Sequence, residues 1–263
     1  VKLSVDDMRF DEPQVDRITV RTGPIPISRT SDLCIAGGGT SGAIALYEAL
    51  KAGIDVTCVE SRADLGGVST IGGVPSSWYG RRTPYFRRLH RELVRTVREK
   101  EIPVQFALLD MAQVADDQLE INSQPAGVAL ENGSIRHVLY NSQNGLTAIG
   151  AKTWIDATGD GDLAAWAGAP YSYGAERDEI TYWCSFGSFR HGRDEALRQY
   201  MSVVDPRSTI DSTRAIIAGR RMGGVEARGK YIQHYLALRE SRHIAGHETI
   251  SYLDIMMGRS YPC

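Results

Sequence analysis

The sequence lacks the features that mark a membrane, metal or nucleic-acid protein. Its 263 residues include only four cysteines, Cys34, Cys58, Cys184 and Cys263, and none forms a C-x-x-C pair. Zinc and thioredoxin-like chemistry therefore find no suitable spacing. Neither sign of charge is in excess: 30 Lys and Arg stand against 32 Asp and Glu, a formal net charge of -2. That balance gives no support for polyanion binding. No apolar run approaches the ~18 residues of a membrane span, and no charged-then-apolar signal segment opens the sequence. The expectation is no nucleic acid, no membrane and a cytoplasmic home. Repeats and low-complexity tracts are also missing. What remains is an ordinary globular composition, 42% hydrophobic and 24% charged, with enough length for one large domain or two small ones.

Glycine, by contrast, is concentrated. The stretch "CIAGGGTSGA", residues 34–43, contains Gly37-x-Gly39-x-x-Gly42. The run "SDLCIA" before it reads as a buried parallel strand, in which Cys34 serves as a small hydrophobe. "TSGAIALYEALKAG" follows, with Ile44, Leu46, Tyr47 and Leu50 at helical spacing and a stop at Gly53. "IDVTCVE" is a second β-branched strand, which completes a βαβ unit. In a dinucleotide fold Gly37 permits the tight turn, Gly39 lets a pyrophosphate approach the backbone, and Gly42 lets the helix pack closely. The helix opening at Thr40 and Ser41 offers amides and a dipole to the phosphates. Glu60 ends the second strand, where a carboxylate accepts hydrogen bonds from ribose hydroxyls; an arginine there would signal a 2′-phosphate. The competing reading is a glycine turn that only joins strand to helix, and it has no use for an acid at that distance.

Further along, "RRTPYFRRLHRELVRTVREKE" reads as a basic helix with Phe86, Leu89, Leu93 and Val97 on one stripe. Its Arg87, Arg88, Arg91 and Arg95 lie among Glu92, Glu99 and Glu101, the pattern of a solvated face rather than a nucleic-acid patch. Residues 118–155 alternate in short strands around "ENGS", a hairpin signal. A helix is expected from Glu226 through Ile244. His243 and His247 have the i,i+4 spacing of a helical metal pair, but Gly246 interrupts them and no third ligand is evident, so no metal is expected.

Two segments distinguish FAD from NAD: "SRADLGGVSTIGGV" directly after Glu60, and the later "WIDATGDGDLAAWAGA". With "LRESRHIAGHETISYLDIMMGRSYP" they make the chain resemble the FAD-dependent oxidoreductase family with a glutathione-reductase-like FAD domain, especially the branch related to fumarate reductase. The resemblance covers about residues 30–262. It implies an α/β fold: a three-layer Rossmann-like FAD-binding domain with an inserted or interleaved substrate region. The expected layout is an extended leader at 1–30, the FAD-binding domain at 31–170, a substrate or cap region at 171–235 and a return segment at 236–263. Ser61, Arg62, Gly66 and Gly67 would lie along the cofactor. Thr158, Gly159 and Asp160 would bring a second strand end beside it, Asp160 supporting the ribityl or pyrophosphate region. Without the resemblance, Asp160 and Asp162 read equally as caps of the following helix. Ser69, Thr70 and Trp78 sit just beyond the Gly-Gly pair with no role assigned.

The resemblance also implies a FAD-dependent oxidoreductase acting on a small-molecule substrate, the flavin carrying the redox chemistry. Arg239 and Arg242 are candidates to clamp a substrate carboxylate, and His243 to take a proton as hydride passes to N5. The alternative for these three is an amphipathic helix with solvated or paired charges. No local pattern identifies a covalent flavin link. The family's third cofactor segment has no convincing counterpart: "IIAGRRMGG" has some of its letters but precedes the Arg-Glu-Ser-Arg stretch. A second chain or a missing C-terminal segment is therefore expected to complete the flavin site. Two other classes stay open, a non-catalytic dinucleotide-binding subunit and a non-redox NAD-using enzyme on the same fold.

Overall fold

The computed structural model describes residues 23–70, 82–101, 104–112, 117–173, 183–190, 196–203, 209–224, 231–238, 241–248 and 252–259. Its main sheet is built from β1 (Ile27–Ala36), β2 (Val56–Val59), β3 (Leu119–Glu120), β4 (Gln124–Glu131), β5 (Ser134–Ser142) and β6 (Gly145–Asp156). The strand order is β3-β2-β1-β6-β5-β4. The β3-β2, β2-β1 and β1-β6 pairs are parallel, and β6-β5 and β5-β4 are antiparallel. The sheet begins at Ile27, so residues 27–30, expected in the leader, belong to it.

Strand alternation divides the core between the two faces of the sheet. Leu33 and Ile35 of β1 pack with Val56 and Cys58 of β2 and with Ala43, Leu46 and Ala49 of α1 (Thr40–Lys51). Cys34 points to the other face and packs with Val59, Tyr140 and Ile149. Tyr140 is not a neighbour of β1 in the sheet, so the β4–β5 hairpin folds over the second face. Its hydroxyl donates to Ser28 Oγ at 2.9 Å and holds it there. The result is the expected three layers: helices, parallel sheet and antiparallel hairpin. The hairpin turns through Asn132 and Gly133, both at positive φ (50° and 75°), which a two-residue I′ turn requires. The thiols of Cys34 and Cys58 are buried and free, on opposite faces of the sheet. Burial pushes Cys34 up to about 12 and Cys58 well above its ordinary value.

The basic segment forms α2 (Pro84–Lys100), with Thr83 accepting from the Phe86 amide at 3.2 Å and proline at the helix start. Tyr47 donates to Glu92 at 3.0 Å and Tyr85 to Glu48 at 2.9 Å, tying α2 to α1. Its arginines at 87, 88, 91 and 95 are exposed. A third helix, α3 (Val104–Ala112), packs against both.

After α4 (Asp162–Trp166) the chain leaves the main sheet through β7 (Tyr171–Tyr173). A separate antiparallel sheet, ordered β10-β8-β9, comprises β8 (Trp183–Arg190), β9 (Ala196–Val203) and β10 (Tyr231–Leu238), with α5 (Thr209–Gly224) packed on it. The chain returns through β11 (Arg242–Ile244), paired with β7, and ends its described part in α6 (Tyr252–Met256). The helix expected from Glu226 through Ile244 is therefore wrong. "YIQHYLAL" pairs along its length with β8, and this long-range ladder overrides a local pattern that fits either period.

Leu46 is fully buried in the cluster between α1 and the sheet. Leu46→Ala is expected to cost about 2–5 kcal/mol of unfolding free energy. Urea denaturation measures it, and a loss near zero would mean that α1 is not packed as described.

Candidate functional site

Three loops meet at the carboxyl ends of β1, β2 and β6, beside the point where the sheet order reverses around β1, the usual ligand crevice of such sheets. The first is Gly37–Ser41. Gly37 sits at φ +97°, and a side chain on it would lie 2.3 Å from the Ala157 carbonyl oxygen. Its amide donates to the Val59 carbonyl at 2.7 Å, fastening the turn to β2. A Cβ on Gly42 would lie 1.8 Å from the Gly37 carbonyl oxygen, so α1 starts in direct backbone contact with the turn. Gly39 differs: a Cβ there would meet nothing within 4 Å. Gly39 is also the N-cap of α1, and no side chain caps the helix.

The second loop runs from Glu60 to Thr70. Glu60 is buried, 6% exposed. Its Oε2 accepts from the Gly38 amide at 2.6 Å, and its Oε1 accepts from the Arg62 amide at 2.7 Å and Ser61 Oγ at 3.1 Å. A carboxylate has about four lone-pair sites, so this acid first locks two loops together and keeps one site for an outside donor. Asp64 is buried beside it, with Oδ1 accepting no hydrogen bond. Burial and the Glu60 charge push its carboxyl up, against the opposing pull of Arg62. Gly66, at φ +100°, donates to the Gly38 carbonyl at 2.9 Å. A Cβ on Gly67 would lie 2.9 Å from Gly39 Cα. Thr40 Oγ1 donates to the Gly66 carbonyl at 3.0 Å and meets Ser69 Oγ at 2.8 Å.

The third loop follows β6. Asp156 Oδ1 accepts from the amide and hydroxyl of Thr158 at 3.2 and 2.7 Å, and its Oδ2 accepts from the Ala164 amide at 3.0 Å. Thr158 Oγ1 in turn accepts from the Asp162 amide at 3.0 Å. Asp156 and Thr158 thus supply the capping that the sequence offered to Asp160 and Asp162. Gly159, at φ +85°, has open space at its Cβ position. The Asp162 side chain is about four-fifths buried and ion-paired with Arg242 at 2.5 Å. Burial raises its carboxyl pKa, Arg242 pulls it back, and Asp160 and Asp156 raise it further.

The loops therefore bring Gly37, Gly39, Thr40, Ser41, Gly42, Glu60, Ser61, Arg62, Gly66 and Gly67 into one region, and the contact of Gly37 with Ala157 joins Thr158, Gly159 and Asp160 to it. Of the substrate candidates, His243 is an exposed residue of β11, Arg242 reaches the third loop, and Arg239 lies outside the described residues, as does Trp78. Among the described residues no group of three His, Cys, Asp or Glu side chains could hold a metal ion. Likewise, no described helix is long and apolar enough to cross a membrane. Sequence reasoning missed Gly38 and Asp156. The only signals were a third glycine inside the turn and an acid one position before "ATGDGD".

A family profile described as FAD dependent oxidoreductase matches residues 32–229. No curated protein sequence matches the chain. Among solved structures, a geranylgeranyl bacteriochlorophyll reductase-like protein from Thermoplasma acidophilum aligns with TM-score 0.51 and 16% identity over 80% of this chain and 66% of its own. The p-nitrophenol 4-monooxygenase of Pseudomonas putida aligns with TM-score 0.52 and 12% identity over 82% and 70%. An anhydrotetracycline hydroxylase from Streptomyces rimosus aligns with TM-score 0.53 and 12% identity over 84% and 55%. At these identities the likeness is one of fold. The chain spans between 55% and 70% of the length of these structures.

Gly42→Ala drives a methyl into a backbone carbonyl and is expected to destabilise the ligand-free chain by about 1–3 kcal/mol. Asp156→Ala removes three accepted bonds and is expected to cost about 1–2 kcal/mol, as the loss of a helix cap does. Thermal or urea unfolding checks both, and unchanged stability in either would contradict the loop geometry.

Proposed function

The chain belongs to the FAD dependent oxidoreductase family and its cofactor is FAD; from that premise we propose that it carries the dinucleotide cleft of a flavoenzyme that exchanges hydride with a small organic substrate at flavin N5. The observation that carries this reading is the junction of three backbone loops around an uncapped helix start, with open space at Gly39 and Gly159. These residues fit the group. A pyrophosphate needs amide donors without side chains in the way, and the start of α1 has them. Glu60 has one lone-pair site left for a ribose hydroxyl. An acid rather than an arginine at that position suits a ribose without a 2′-phosphate.

Bound in this cleft, FAD supplies hydride acceptance at N5. The chain's part is to hold and orient. Amides of Thr40, Ser41 and Gly42, at the uncapped start of α1, would donate to the phosphates. Ser61, Arg62, Gly66 and Gly67 would lie along the cofactor, and Thr158, Gly159 and Asp160 would sit beside it, Asp160 supporting the ribityl or pyrophosphate region. His243 and Arg239 are assigned to the substrate, His243 as proton acceptor and Arg239 as carboxylate clamp. A further polypeptide segment is assigned to complete the flavin half. Exposed apolar side chains near the loops support that assignment: Val68 is 51% exposed, Tyr171 45% and Ile244 38%, surface that a covering segment would bury.

The purified protein is expected to show a visible flavin absorption band and to release FAD on denaturation. A colourless protein that releases NAD instead would overturn the reading in favour of a non-redox enzyme on the same fold. His243→Ala is expected to slow flavin bleaching by a reducing substrate about 10²–10⁴-fold, the usual worth of a positioned base. Anaerobic stopped-flow measures it, and an unchanged rate would remove His243 from the chemistry.

A further inference from the structure

The chain leaves the cofactor domain through β7 and re-enters it through β11, and these two strands pair antiparallel, with His243 opposite Ser172 and Ile244 opposite Tyr171. The ribbon is the stem on which β8, β9, α5 and β10 are inserted. Its foot rests on the third cofactor loop. Ser241 Oγ donates to Asp160 Oδ1. Arg242 Nη1 donates to the Asp160 carbonyl at 3.0 Å and to Asp162 Oδ1 at 2.5 Å. The Ile244 side chain fills the place of the missing Cβ of Gly161, whose Cβ would lie 2.9 Å from Ile244 Cγ1. The guanidinium also lies over the Tyr171 ring at 5.4 Å, and the Ala245 amide donates to the Pro170 carbonyl at 2.8 Å. Both side chains of the Arg242–Asp162 pair are about four-fifths buried, at 21% and 19% exposure.

We infer that Arg242 is a positioning residue that sets the conformation of the Gly159–Asp162 turn from the stem of the inserted region, rather than a clamp on substrate. The turn needs an outside determinant. Gly159 and Gly161 are both at positive φ, +85° and +64°, and glycine has little conformational preference of its own. Asp156 and Thr158 hold the two ends of the turn. At its middle, Asp160 is bound by Ser241 and Arg242, through its side chain and its carbonyl. Movement of the stem is thereby transmitted to the third loop of the proposed cofactor cleft. The inference rests on the FAD reading for its consequence, and on the described bonds alone for the coupling.

Hydrogen–deuterium exchange on the purified chain reads the coupling without cofactor. Arg242→Met is expected to accelerate exchange at residues 158–164 roughly tenfold, as local opening becomes easier, and to leave residues 34–42 unchanged. Calorimetry should then show FAD binding weakened by roughly the same factor. Asp162→Ala should act in the same direction but more weakly, because Arg242 keeps its bond to the Asp160 carbonyl. The double variant should be no worse than Arg242→Met alone, because Asp162 is held through Arg242. Arg242→Lys keeps the charge but loses the guanidinium fork, and should recover part of the protection. Asp117→Asn, which removes an exposed partner of Arg29, should change neither readout. If Arg242→Met does not fold, Ser241→Ala tests the same coupling with a smaller acceleration. Unchanged exchange in these variants, or additive losses in the double variant, overturns the positioning role. A chain that shows the coupling but binds no FAD overturns the functional reading instead.

Discussion

The structure depends on backbone meeting backbone where no Cβ can be. Gly37 lies against the Ala157 carbonyl, Gly42 against the Gly37 carbonyl and Gly67 against Gly39 Cα. Each contact is closer than any side chain allows, and together they draw the ends of three parallel strands into one crevice. Glu60 fixes the arrangement by accepting from Gly38 in one loop and from Arg62 and Ser61 in another. The parallel sheet aims the strand ends, while α1 and the folded-over hairpin keep both of its faces dry. The cleft is thus a product of the core, as the position of ligand sites in open α/β sheets requires.

The same close packing explains why the crevice suits a dinucleotide. Bulky atoms are excluded from the loop junctions, yet Gly39 and Gly159 face open space. The loops touch each other at Gly37, Gly42 and Gly67 and stand apart at Gly39 and Gly159. Polar groups follow the same division. Most of the Glu60 acceptor capacity is spent on the fold, and the helix start is left without a side-chain cap. Family membership makes the cofactor FAD.

Local features were legible in the sequence. The strand, glycine turn and helix around residue 37, the acid at Glu60 and the Asn-Gly hairpin each follow from short-range rules, because a turn type or a helix stop is decided by its own few residues. What was not legible lay in long-range partnerships. Asp156 carried no signal beyond its place before "ATGDGD", and only its bonds to Thr158 and Ala164 show it organising the turn. "YIQHYLAL" carried a pattern readable as helix, and pairing with β8 made it strand. Arg242 gave no sign in the sequence of partners outside its own stretch. Its partners, Asp160 and Asp162, lie some eighty positions earlier in the chain, and no spacing rule reaches that far.

The central claim is that the open space at Gly39 is where the cofactor's pyrophosphate passes. Calorimetric titration of FAD into wild-type protein and Gly39→Ala tests it most directly, because an added methyl there meets no protein atom within 4 Å. The account predicts unfolding free energies within about 1 kcal/mol of each other, the cost of alanine for glycine at an N-cap, and FAD binding weakened by at least roughly tenfold. Equal FAD affinity in the two proteins would contradict it.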